Sequence, residues 1–78
     1  MTKKEWQRIF ANRVLDRLGE LNMTQKELAD RILVDKSTIS KYLYCERVPD
    51  AITLANIALV LDIRSGWLID VSEIVEKD

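Results

Sequence analysis

The chain has 78 residues, 12 basic and 13 acidic side chains, no histidine and a single cysteine. That is one domain at most, and it must fold on apolar packing: a lone thiol forms no internal disulfide and, without histidine, builds no zinc site. The 47% hydrophobic share is enough for a core, yet no run approaches the roughly 18 apolar residues of a membrane span, so a cytoplasmic protein without a membrane anchor is expected.

The net charge of −1 is unevenly spread. Residues 1–23 carry five basic and three acidic side chains, residues 24–50 five of each, and residues 51–78 two basic and five acidic. An isoelectric point near 5.4 argues mildly against nucleic acid, but a local face decides binding and the sum does not. With one Pro49 and only Gly19 and Gly66, the chain has few breaks. Helical spacing recurs, and nowhere is there the strict alternation of a half-buried strand.

The first helix is expected from Lys3 to Leu21, with Thr2 as N-cap and Asn22 as a left-handed stop. Trp6, Ile9 or Phe10, Val14, Leu18 and Leu21 form its apolar stripe, and Lys4, Arg8 and Arg17 fall outside it. Thr24-Gln25-Lys26-Glu27 is a capping box that opens a short second helix, with Leu28, Ala29 and Ile32 on one face. Asp35 caps a third helix that runs to about Tyr44. Ile39, Tyr42 and Leu43 face inward, while Ser37, Lys41 and Tyr44, at i, i+4 and i+7, face outward with Lys36 beside them. Pro49 breaks the chain and Asp50 caps a fourth helix. Ala51 to Leu61 is so apolar that burial on most sides, at the centre of the core, is expected. A fifth helix is expected from near Ser65 with Trp67, Leu68 and Ile69, followed by an acidic tail over 71–78.

Two short helices separated by Leu33-Val34-Asp35 have the layout of a helix-turn-helix, whose second helix enters the DNA major groove. The residue types suit that task. Lys36 and Lys41 offer donors to phosphate or guanine, Ser37 and Thr38 reach base or phosphate, and Gln25 stands where helix N-terminal amides attract a phosphate.

Here the sequence resembles a family. "TQKELADRILVDKSTISKYL…RVPDAITLANIALVLDI…WLI" is similar to the Cro and phage-repressor group, the xenobiotic-response-element family, over roughly residues 10 to 69. Thr24-Gln25, Leu28-Ala29, Ser37-Thr38-Ile39-Ser40, Pro49 and Trp67-Leu68 occur in the family's order. The resemblance implies an all-α, compact five-helix bundle of the lambda-repressor type with a central helix-turn-helix. It divides the chain into a DNA-binding domain, residues 1–70, and the tail, 71–78. It implies base contacts from Lys36, Ser37, Lys41 and Tyr44, and phosphate contacts from Gln25, Thr38 and Arg47. The implied partner is a double-stranded operator, bound as a homodimer joined through the C-terminal helix and without cofactor or metal. Four positions depart from the family pattern. Leu33 stands for the usual turn glycine, so the turn must either change conformation or carry strain. Leu43 replaces an acid, Cys45 a glycine that ends the third helix, and Glu46 a common basic residue.

Plainer readings stand beside these. The outward face of the third helix could be solvated surface. Tyr44 could meet an operator edge or cover the bundle. Cys45 could be a redox sensor or an incidental thiol. Trp6 and Trp67 read as packing residues. No Gly-rich phosphate loop and no paired nucleophile and base point to an enzyme. Sequence-specific DNA binding as a Cro-type repressor is the expected function. The alternative is a protein-interaction module, antirepressor or antitoxin-like, on the same scaffold, with Tyr44, Cys45 and Val48 as its contact patch.

Overall fold

The computed structural model describes residues 2–63, which form four α-helices: α1 (Lys3–Leu21), α2 (Gln25–Arg31), α3 (Lys36–Leu43) and α4 (Ala51–Val60). Among the described residues there is no strand. The fifth helix and the acidic tail expected from the sequence lie outside the described residues.

The starts follow from side-chain caps. Thr2 Oγ1 accepts from the Glu5 amide at 3.1 Å. Thr24 and Glu27 close a reciprocal capping box, at 3.1 and 3.2 Å. Asp50 Oδ1 accepts from the Thr53 amide at 2.7 Å. Asp35 differs from expectation: it holds the cap position, but its carboxylate makes no cap bond, and only its carbonyl serves, accepting from Thr38 N at 2.9 Å.

The ends share one device. Asn22, Leu33, Cys45 and Asp62 all take positive φ, between 54° and 62°. The next residue's amide then bonds back five residues: Met23 to Leu18, Val34 to Ala29, Glu46 to Lys41 and Ile63 to Ala58, at 2.8–3.0 Å. These are Schellman closures, which satisfy the last carbonyls of a helix. After α1, α2 and α4 the closing residue is apolar and turns onto the core, as Met23, Val34 and Ile63. After α3 it is Glu46.

The core joins all four helices: Phe10, Val14 and Leu18 of α1, Leu28 and Ala29 of α2, Ile39 and Tyr42 of α3, and Ile57, Ala58 and Leu61 of α4 and its end. α3 packs against both α1 and α2, and α4 meets α2. Trp6 is half-buried and stacks on Phe10, ring centres 5.2 Å apart. Two expectations are corrected. Leu21 is not on the buried stripe, because the Asn22 reversal brings Met23 onto the core in its place. α4 is not buried on most sides: Ile57 and Ala58 are covered, but Ile52 is 74% and Leu59 77% exposed. Its apolar content exceeds what its neighbours among the described residues can cover, since these stand on one side of it. Arg17 reaches across from α1 and donates from Nε to the Leu61 carbonyl at 2.7 Å, fixing the end of α4.

Candidate nucleic-acid interface

The candidate interface is built on α2, the Leu33–Asp35 turn and α3. Burial of Leu28 and Ala29 on one side of the turn, and of Ile39 and Tyr42 on the other, sets the two helices against each other. A second tie is polar: Ser40 Oγ donates to Gln25 Oε1 at 3.5 Å. Because α3 turns Ile39 and Tyr42 inward, its spacing turns Lys36, Ser37 and Lys41 outward. All three are exposed, and so is Tyr44 at the helix cap. Tyr44 is 76% exposed, so it does not cover the bundle.

The other expected residues divide. Arg47 is exposed in the loop after α3, with its amide bonded to the Lys41 carbonyl at 3.3 Å, and Glu46 lies exposed beside it. Thr38 and Gln25 are half-buried. Thr38 stands in the first turn of α3, and Gln25 is the residue that Ser40 holds at the start of α2. No side chain caps α3, and the Asp35 carbonyl takes the Thr38 amide, which leaves the Lys36 and Ser37 amides at the helix start for an outside oxyanion. The surface thus offers cations, hydroxyls and amide donors along one short helix, a set suited to phosphate and base edges.

Lys4 is the residue that sequence reasoning missed. Its Nζ donates to the Cys45 carbonyl at 2.8 Å, which pins the start of α1 to the end of α3. It lies off the α1 stripe, and no local signal links residues 41 positions apart. Among the described residues no group of acidic or thiol side chains could hold a metal ion. No helix among them is long and apolar enough to cross a membrane.

A family model described as helix-turn-helix matches residues 15–68. The chain belongs to the helix-turn-helix family of the Cro and phage-repressor type. No curated protein and no solved structure matches it. Membership agrees with the all-helical fold and makes this helix-turn-helix protein a DNA-binding regulatory domain by family. In helix-turn-helix terms α2 is the positioning helix and α3 the recognition helix. Leu33 and Cys45, which stand where the family usually has glycine, keep the left-handed backbone, at φ 61° and 62°. The turn has therefore retained its shape and carries strain.

Proposed function

We propose that this helix-turn-helix protein is a sequence-specific transcriptional regulator, a repressor of the Cro kind that acts in the cytoplasm by occupying a palindromic operator. Lys36, Ser37, Lys41 and Tyr44 read bases in the major groove, and Gln25, Thr38 and Arg47 hold phosphates. The observation that carries the reading is the outward row of α3, with Lys36, Ser37 and Lys41 all exposed, in a chain whose family binds DNA. The protein binds as a dimer, with recognition helices about 34 Å apart, one turn of DNA. The C-terminal residues Trp67, Leu68, Ile69, Val71, Ile74 and Val75, which lie outside the described residues, supply apolar surface for that assembly. Repression follows from occupancy, because a bound operator excludes polymerase.

A second reading has its own support. Tyr44 and Val48 are exposed apolar residues flanking the half-buried Cys45, and the isoelectric point is low. A partner protein docked there would make this an interaction module on a helix-turn-helix scaffold. Selection from random duplex DNA, at low and at physiological salt, separates the two. A recovered palindrome, with affinity falling as salt releases counterions from phosphate contacts, supports the repressor. No enrichment at either salt removes that reading and leaves the interaction module.

A further inference from the structure

The closure after α3 is built unlike the other three. Met23, Val34 and Ile63 each turn an apolar side chain onto the core, whereas α3 is followed by Glu46. From Glu46 to Val48 every residue is exposed, so no buried side chain holds the stretch that carries Arg47 and follows Tyr44. Cys45, at φ 62°, is besides a residue type that takes this left-handed backbone only against strain. Two polar contacts stand in for the missing anchor. The peptide unit between Cys45 and Glu46 is held at both ends: its N–H donates to the Lys41 carbonyl at 2.8 Å, and its carbonyl accepts from Lys4 Nζ at 2.8 Å. Lys4 reaches it from a fixed base. Thr2 caps the turn of α1 from which Lys4 projects, and Trp6 stacks on the buried Phe10. The ammonium also lies beyond the last turn of α3, where a cation meets the negative end of the helix dipole.

We infer that Lys4 is a positioning residue of the DNA interface: through the Cys45 carbonyl it fixes the loop 44–50 in the form that presents Tyr44 to bases and Arg47 to phosphates. The inference rests on the reading of α3 and this loop as the DNA-binding surface. It gives the start of α1, 41 residues away, a share in operator affinity without a DNA contact of its own. A loop that is loose in the free protein has to be ordered on binding, and that ordering subtracts from affinity. The Lys4 bond does the ordering in advance. A single N–H donor is all the carbonyl needs, so a guanidinium can replace the ammonium here, while a thioether of similar length cannot.

Amide hydrogen exchange of the free chain and its affinity for DNA test this together, with Lys4→Met, Lys4→Arg and, as a control for charge, Lys3→Met. The probe is the duplex most enriched in the selection from random DNA. Lys3 and Lys4 are both exposed, so every variant keeps the helical circular dichroism of the parent. Lys4→Met should speed exchange at the Glu46 and Arg47 amides and weaken duplex binding about tenfold. Lys4→Arg should bind within about threefold of the parent, and Lys3→Met within about twofold. In a chain that also carries Tyr44→Ala and Arg47→Ala, Lys4→Met should weaken binding by less than about twofold more, because the groups it positions are gone. Beside Lys36→Ala, at the other end of α3, its effect should be undiminished. Unchanged exchange or unchanged affinity in Lys4→Met overturns the proposal, as does a Lys4→Arg that binds as weakly as Lys4→Met. An equal loss in Lys3→Met overturns it in favour of charge alone. An undiminished loss in the absence of the Tyr44 and Arg47 side chains overturns it by making Lys4 itself a phosphate contact. A parent that enriches no duplex removes the DNA-binding reading, and this inference with it.

Discussion

At the scale of single residues, the backbone is held to its shape against the preference of two side chains. Leu33 and Cys45 bracket the recognition helix, each in a conformation that crowds Cβ against the following carbonyl. Leu33 buries almost nothing in return. We expect Leu33→Gly to stabilise the dilute protein by about 0.5–1 kcal/mol, the left-handed strain removed less the extra freedom glycine has when unfolded; chemical denaturation measures it, and a loss of stability would mean that the turn is not strained. Gln7 presents the opposite case. It is buried on the α1 face, with Oε1 lacking a partner. Replacing it with methionine, similar in shape and apolar, should stabilise by about 1 kcal/mol, since an unsatisfied buried acceptor costs that much or more. Lys41 is one of the residues proposed to read the operator. Lys41→Ala should weaken operator binding by about 1–3 kcal/mol and leave the fold intact, because the side chain is exposed. Equal operator affinity of variant and parent would take Lys41 out of the reading set.

At the scale of elements, helices this short depend on their ends. α2 has seven residues and α3 eight, below the length at which an isolated helix persists in water. Caps and core contacts supply the difference. The cap of α4 has a pH signature. The Thr53 backbone amide, then the Thr53 side chain, hold the Asp50 carboxyl below its ordinary value of 3.8, with Arg47 helping and desolvation opposing. A carboxylate whose value is lowered by folding contributes stability that is complete above its unfolded value and is lost as pH falls through the folded one. We therefore expect the parent to lose stability below about pH 4 more steeply than Asp50→Asn, which keeps a cap acceptor but does not titrate. Thermal midpoints followed from about pH 6 to about pH 2 test this, and parallel curves would remove Asp50 from the acid response.

At the scale of the whole molecule, the question is how a chain of net charge −1 can meet DNA. The answer lies in distribution. Lys36, Lys41 and Arg47 share one exposed region, Lys4 is drawn to its edge by the Cys45 carbonyl, and much of the acidic charge belongs to the last part of the chain. The same whole-molecule view separates two surfaces on one small bundle: a polar, cationic row on α3 and an uncharged apolar row on α4.

The sequence by itself determined the four described helices, the side-chain caps of α1, α2 and α4, and the outward row of α3. These are local facts. A capping box spans four residues, a left-handed stop one, and helical spacing repeats within two turns, so each is legible without knowing what lies across the bundle. The family resemblance added where glycine was to be expected, and so where strain would lie, but whether Leu33 and Cys45 would relax was a matter of packing. Tertiary structure decided that they do not: the Val34 and Glu46 amides close back onto Ala29 and Lys41, Val34 packs on the core, and Lys4 holds the Cys45 carbonyl. It also decided what no local pattern carries: that Gln7 is buried, that Lys4 and Arg17 clamp carbonyls 41 and 44 residues away, and that the described residues cover α4 on one side only. Apolar composition states what a helix can bury; the number and placement of its neighbours decide what it does bury.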